Sequence, residues 1–395
     1  MLWGFTFALL IAVTLGFMGM SYRFDNTIKQ RRFKGLSSHP LVSILIPTYK
    51  SEKTISKTLE SIQKSSYPNK EIIVVNDSKD RTPEIAKAFG AKVIKNKRRT
   101  GKGAALNRAA EAAGGDFLLI LDADTSLRSG TLTTLMKSYN MYEDMGDSVG
   151  IVAPKYTAKN KNNFIARLSN MEQKLHQRLM KIQMNLGSIL SIRGSCLLIS
   201  RQAFQDAGGF SQTMLEDGDF TAKVIKSGYK IKYEPRAIVE IKEPETLSSL
   251  LNAKKRYGKG IFYCSFNHWK PYVVSPQALV CFYPQFLLML AVIGTLIFQN
   301  PITLAPITIL LTSVALSGIA SYIMIAGIAM ASIIGIVAGS QALATQAAVK
   351  SSLLSTALPF VLFFVPLVTI AYGRGFFSGV LDKINGRPEL EFSNW

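Results

Sequence analysis

Asp122-Ala123-Asp124, Gly101-Lys102-Gly103 and Leu215-Glu216-Asp217-Gly218-Asp219 hold the side chains of this sequence best suited to chemistry. The first group follows directly on the apolar run 117–121. An ionised Asp is costly to bury unless it is paired or metal-bound. Two at a strand end suit a hard divalent cation that bridges to substrate phosphates and takes one or two such oxygens; a solvated loop gives the same pattern. Gly101-Lys102-Gly103 opens the helix before that strand. Its glycines permit close backbone approach, a helix N-terminus favours anions and Lys adds a point charge, which suits a diphosphate. An ordinary surface turn reads the same way, and the Gly-x4-Gly-Lys-Ser/Thr spacing of a Walker loop is absent. In 215–219, neighbouring carboxylates raise one another's proton affinity and leave one poised as a general base. Acids in the first turn of a helix explain that cluster equally. Asp77, after the apolar run 72–75, is placed to bond a base or ribose, or to cap the helix starting near Thr82.

The elements that must position these groups alternate. Runs at 41–46, 72–75, 91–94 and 117–121 read as strands, and 53–65, 82–89 and 102–113 as helices. That order predicts a Rossmann-like α/β domain with a mostly parallel sheet buried on both faces. Ligands bind beyond the carboxyl ends of such strands, and those ends carry Thr48-Tyr49, Asn76-Asp77 and Asp122-Ala123-Asp124. Farther on, 163–186 reads as a long amphipathic helix, packed on the domain or resting on the membrane surface. Residues 189–200 read as one or two strands interrupted by Arg193-Gly194-Ser195, 217–227 as a helix and 230–241 as strands. A helix at 246–260 carries Arg256 and Tyr257 toward an interfacial segment, 261–274, of mixed aromatic and basic residues.

Charge is unevenly distributed. Residues 1–22, 271–349 and 351–373 contain no Asp, Glu, Lys or Arg. A spanning helix needs about 20 apolar residues, so the expected spans are 2–20, 278–298, 303–322, 325–345 and 353–373. A cleaved signal peptide fits the first run less well, for want of a basic start and a small-residue cleavage site. Arg23, Lys29, Arg31, Arg32 and Lys34 follow the first run, and Lys254, Lys255, Arg256, Lys259 and Lys270 precede the second. The positive-inside rule therefore places 23–270 in the cytoplasm. The expected organisation is an N-terminal transmembrane helix (1–22), a cytosolic catalytic domain (23–260), an interfacial segment (261–274), about four C-terminal spans (275–373) and a cytosolic tail (374–395). The chain would sit in the cell membrane as a multi-pass protein. A net charge of +20 raises the question of nucleic acid. No zinc spacing, helix-turn-helix signature or RNP pattern accompanies it, and anionic lipid headgroups attract juxtamembrane Lys and Arg. Membrane lipids, and no nucleic acid, are the expected partners. Cys196, Cys264 and Cys281 are too dispersed for a metal knuckle and fit a reducing compartment.

Taken in order, these motifs resemble family 2 glycosyltransferases, in particular the membrane-integrated cellulose, chitin and hyaluronan synthase-like branch. The resemblance covers about 41–260. It runs through Val42-Ser-Ile-Leu-Ile-Pro-Thr-Tyr49, Ile73-Val-Val-Asn-Asp77, Gly101-Lys-Gly-Ala-Ala-Leu-Asn107, Asp122-Ala-Asp124, Arg193-Gly-Ser-Cys196 with Gly208-Gly-Phe210, and Leu215-Glu-Asp217. It implies a GT-A fold and one-step inverting transfer from a nucleoside-diphosphate sugar, with a uridine donor, to a glycan. The alternative is a single transfer to a polyprenyl-phosphate or other lipid-linked acceptor. By resemblance, Pro47, Tyr49, Asp77, Lys102 and Asp122 bind the donor, and Asp124 with Asp122 holds Mg²⁺ or Mn²⁺. Asp217, beside Glu216, is the base. Arg193, Gly194, Ser195, Arg256 and Tyr257 line the acceptor and diphosphate side. The sequence departs from the branch at Ala253 and Tyr257, where its motif has Gln and Trp, and at Leu215 and Arg193, where Thr and often Cys stand. Tyr257 keeps an aromatic face that can stack on a sugar ring.

Overall fold

The computed structural model describes residues 19–20, 22–190, 192–271, 275, 364–387 and 389. They fall into two units: a sheet unit that takes in Thr27–Lys159 and Gln183–Glu243, and a helical unit that takes in the described residues of Asn160–Ile182 and Pro244–Arg387.

In the sheet unit, strands β1 (Val42–Thr48), β2 (Lys70–Asn76), β3 (Lys92–Lys95) and β4 (Phe117–Leu121) alternate with helices α1 (Ile55–Gln63), α2 (Thr82–Ala88) and α3 (Lys102–Glu111). β1 lies parallel between β2 and β4, and β3 lies parallel to β2. Ile44, Leu45, Ile46, Ile73, Val74 and Val75 are fully buried, as a sheet covered on both faces requires. The order β3-β2-β1-β4 switches winding direction between β1 and β4. The crevice beyond those two carboxyl ends is where this architecture binds ligands. Pro47 sits past the last β1–β4 pair, Leu45↔Ile120, so its missing N–H leaves no ladder bond to β4 unmade.

Beyond β4 the sheet is mixed, where the sequence predicts a mostly parallel one. β7 (Cys196–Ser200) runs antiparallel to β4 and to β6 (Val149–Ala158). β6 is parallel to β8 (Lys230–Ile241), and β5 (Ser126–Leu127) closes the edge antiparallel to β8. β7 is buried throughout, and a run buried on both faces looks the same in either direction. Helices α4 (Thr131–Asp144) and α6 (Arg201–Asp206), with β5 and β6, have no counterpart in the sequence reading. Of 189–200, expected to hold one or two strands, the described residues pair only over Cys196–Ser200, and 192–195 are loop. Residues 230–241 form one bulged strand: its pairing with β6 steps from Pro154↔Glu234 to Lys155↔Ile238. The skipped residues include Pro235, which has no N–H to donate.

The helical unit contains most of α5 (Phe164–Met184), α8 (Leu247–Asn267) and α9 (Val365–Ile384); α7 (Glu216–Lys226) belongs to the sheet unit. α8 starts at a capping box, in which the Thr246 hydroxyl accepts the Ser249 N–H. It continues through 261–267, which the sequence assigns to an interfacial segment. Gly258 is a contact point rather than an end: a Cβ there would strike the Tyr372 carbonyl of α9, and one on Gly375 of α9 would strike the Lys255 carbonyl. Leu168, Leu250, Phe364, Val368 and Tyr372 form the core of this unit. Lys254 pairs with Glu172 at 2.7 Å and Lys259 with Asp382 at 2.6 Å. These lysines, expected at lipid, are therefore held by carboxylates of their own unit. The expected spans lie outside the described residues, apart from 19–20 and 364–373, and α9 carries the last of them past Arg374 to Ile384. Among the described residues, no helix is long and apolar enough to cross a membrane.

Candidate active site

Lys102 is the first residue of α3, and Gly101 before it adopts φ +86°, a left-handed conformation that favours glycine. A cation at a helix N-terminus opposes the macrodipole, so Lys102 needs acidic partners, and it has them. Its Nζ lies 2.8 Å from Asp122 Oδ1 and 3.1 Å from Glu216 Oε1 and donates to the Gly194 carbonyl at 3.3 Å. Burial alone would lower its pKa, but the charges of Asp122, Glu216 and Asp217 together raise it. Lys102 is therefore a fixed positive charge.

Asp217 sits in the first turn of α7 with Glu216 and Asp219. Its Oδ2 accepts the Gly194 N–H at 2.7 Å and its Oδ1 the Gly218 N–H at 2.8 Å. Gly194 has to be glycine, since a Cβ there would stand 2.8 Å from the Asp217 Cβ and 2.9 Å from its Oδ2. Burial, then the Glu216 charge, pushes the Asp217 carboxyl up to about 6, while Lys102 and the two N–H donors pull it down. Those donors fix the carboxylate's orientation, and the raised pKa suits a base working near neutrality.

Asp122 leaves β4 with its N–H bonded to the Ser195 carbonyl at 3.0 Å, which joins the β4 end to the Arg193-Gly194-Ser195 loop. The Arg193 guanidinium reaches Glu243 Oε1 at 3.1 Å and Ser195 Oγ at 3.3 Å. Beneath the loop, the Tyr156 hydroxyl lies 2.6 Å from the Arg193 carbonyl and 2.8 Å from that of Cys196. Asp124 has its carboxyl raised by desolvation and then by the Asp122 charge, against Lys159, Arg193 and Lys102. A divalent cation relieves that kind of carboxylate repulsion, so the residues present fit one. Among the described residues no three or more His, Cys, Asp or Glu gather as a metal cluster. The Asp122–Asp124 pair thus suits a cation whose remaining ligands come from substrate oxygens.

On the other side of the crevice, Tyr49 is 39% exposed and the Arg99 guanidinium lies 3.9 Å from its ring centroid. Asp77 departs from one of its two sequence readings, the helix cap. The N-cap of α2 is Arg81, so Asp77 does not cap that helix. Its oxygens accept the Thr100 N–H at 2.7 Å, the Gly101 N–H at 3.1 Å, the Thr100 hydroxyl at 3.0 Å and the Asn96 amide. Asp77 therefore ties down the loop leading into Lys102.

The structure thus brings Lys102, Asp122, Arg193, Gly194, Ser195, Glu216 and Asp217 into one connected group, with Asp124 beside it. Arg256 and Tyr257 belong to the helical unit. The Tyr257 ring is stacked 6.5 Å from that of Tyr372, with the Arg256 guanidinium 5.4 Å from it. Sequence reasoning missed Tyr156, Glu243, Arg99, Lys159 and Thr100. Arg99 and Thr100 adjoin Gly101-Lys102 and had a positional signal; Tyr156 lies on a strand the sequence did not show.

Residues 43–208 match the family Glycosyl transferase family 2. The poly-beta-1,6-N-acetyl-D-glucosamine synthase of Staphylococcus epidermidis is 30% identical over 249 residues, 59% of this chain and 59% of that protein. Its counterpart in Staphylococcus aureus is 27% identical over 226 residues, 55% of this chain and 54% of that protein. The matches thus span between half and two thirds of those relatives' length. A mannosyltransferase from Pyrobaculum calidifontis, solved in complex with GDP-Man and Mn²⁺, shares the fold at a TM-score of 0.59 and 16% identity, over 96% of this chain and 99% of that one. Over residues 43–208 the chain is thus similar to a Glycosyl transferase family 2 domain, and its mixed α/β sheet is GT-A-like, sharing the fold of that mannosyltransferase.

Proposed function

We propose that this chain is a membrane-bound inverting glycosyltransferase that moves a sugar from a UDP-sugar to a growing glycan. The observation that carries the reading is Asp217, its two oxygens aimed by Gly194 and Gly218 N–H groups beside the Lys102–Asp122 pair. The relatives' product, poly-beta-1,6-N-acetyl-D-glucosamine, supports an N-acetylhexosamine polymer here. Asp217 takes the proton of the acceptor hydroxyl as its oxygen bonds to the anomeric carbon and the bond to the nucleoside diphosphate breaks. Lys102 binds the diphosphate and neutralises charge as it leaves. Asp124 and Asp122 would hold Mg²⁺ or Mn²⁺, which when bound stabilises the same charge. Tyr49 offers a ring face to the base, and Arg193 orders the loop whose Gly194 N–H holds Asp217. The charge pattern supports a cytosolic catalytic domain anchored by the expected spans.

Tyr257 favours a second reading. Its ring is engaged with Tyr372 inside the helical unit, which suits an enzyme adding one sugar to a lipid-linked acceptor without a long glycan platform. A panel of nucleotide sugars, offered with Mn²⁺ to the detergent-solubilised chain and followed by product mass, tests both. A ladder of products is expected. One sugar per acceptor selects the second reading, and no transfer from any donor removes both.

A further inference from the structure

Asp217 is reached through a stretch with no regular structure. Between α6 and α7 the chain passes through Gly208 and Gly209, at φ +70° and +67°, and on to Glu216. A loop with two consecutive left-handed glycines has little stiffness of its own, yet a catalytic base has to be held within a fraction of an ångström. The loop is stiffened from α3. The Asn107 side-chain amide donates to the Phe210 carbonyl at 2.8 Å and its Oδ1 accepts the Phe210 N–H at 2.8 Å. Both ends of one amide thus hold both backbone groups of one residue, as a neighbouring strand would. There is no slack around this clamp. A Cβ on Gly209 would stand 2.8 Å from Asn107 Oδ1, and one on Gly103 would stand 2.5 Å from the Ser211 carbonyl.

The clamp continues into the helix that bears the base. The Phe210 ring stacks on Phe220 with centroids 4.2 Å apart, and Phe220 is fully buried on α7. Lys223, also on α7, donates to the Gly209 carbonyl at 2.6 Å and the Ser211 hydroxyl at 3.0 Å. α3 therefore carries Lys102 at its first residue and, at Asn107, the bond that holds the approach to Asp217. We infer that Asn107 is a positioning residue: it sets Asp217 relative to Lys102 by clamping Phe210, and touches neither substrate nor the reacting atoms.

This rests on the glycosyltransferase reading, and its test has one arm that does not. In the full chain carrying Asn107→Ala, amide exchange of the peptides containing Gly194 and Gly218 is compared with that of α3. Faster exchange at those amides, with α3 unchanged, is expected; equal exchange overturns the inference whether or not the protein transfers sugar. In turnover, kcat falls by about 10-fold to 100-fold, while donor KM and the Kd for a nucleoside diphosphate with Mn²⁺ stay within about twofold. Asn107→Asp, which keeps the acceptor for the Phe210 N–H, recovers part of kcat. An unchanged kcat per folded molecule, or a donor KM that rises in step with the loss of kcat, overturns the inference. Absence of transfer by the wild type removes the functional reading alone, and the exchange result still decides the clamp.

Discussion

At the scale of single residues, Asp217 stands between opposed influences: burial and Glu216 raise its pKa to about 6, and Lys102 with two N–H donors lowers it. A base must be ionised to act, so kcat/KM is expected to fall as pH drops through about 6, with its plateau above. Glu216→Gln removes a negative neighbour, so the acid limb moves to lower pH. Lys102→Met removes a positive one, and the limb moves up. A pH–rate series on the three proteins checks both signs. Movement of the limb the same way in both variants would rule out Asp217 as the titrating base. Gly194→Ala tests its aim: the added Cβ meets Asp217 at 2.8 Å. The variant should fold and bind nucleoside diphosphate yet lose about 10-fold or more of kcat, as misplacement of a catalytic group does. The gathering of Lys102, Asp122 and Asp217 was legible in the sequence, from charge at strand and helix ends read together with the family resemblance. That Asp77 also ties down the loop into Lys102 was not, because its donors come from Asn96, Thr100 and Gly101 on a loop whose course no local pattern specifies.

Among elements, the βαβ alternation from β1 to β4 was readable because apolar runs of strand length and helical repeats differ in period. From β5 onward only part was: α5, α7, β8 and the start of α8 were readable, while β5, α4, β6 and α6 were not. α4 is rich in Thr, Ser, Asn and Tyr, which are weak helix formers, and the direction of β7 is set by its pairing rather than by its composition. The end of α8 was misread for a different reason: Gly258 and Gly260 look like punctuation in sequence, while in the helical unit Gly258 lets α8 touch α9 at the backbone. That contact brings a testable cost. Lys254 and Glu172 pair at 2.7 Å with side chains only 10% and 9% exposed. Lys254→Met leaves a buried carboxylate without its cation, a loss of about 3–5 kcal/mol. Replacing both, Lys254→Met with Glu172→Leu, should return most of it, because buried pairs gain little over apolar packing. Thermal unfolding of the solubilised chain reads the difference. A double variant as unstable as the single one would mean that Glu172 has a role apart from Lys254.

For the molecule as a whole, the net charge of +20 bears on topology once the paired residues are set aside. Lys34 is engaged with Asp144, Lys254 with Glu172 and Lys259 with Asp382. Arg31 lies over the Tyr142 ring at 5.4 Å. Such pairing does not weaken the positive-inside argument, since orientation follows Lys and Arg near the spans, with little contribution from Asp and Glu. On the proposed reading, the basic residues after 1–22 and before 271–349 would place the sheet unit on the cytosolic face, and those of 374–387 would place the tail there too. A nucleotide-sugar donor requires the same placement, because it is a cytosolic metabolite that a charged diphosphate keeps from crossing a bilayer. Glu52→Cys, in the loop after β1, and Lys383→Cys, near the end of α9, test this directly. Cys196 and Cys264 are buried and add little background, and Cys281 is replaced by Ser. In intact cells an impermeant maleimide should label neither position, and after permeabilisation both. Labelling of position 383 alone in intact cells would require an odd number of crossings between the two, and would remove the count of four spans while leaving the catalytic unit cytosolic. Labelling of position 52 in intact cells would separate the carboxylates from their donor, and the transferase reading would fail with the topology.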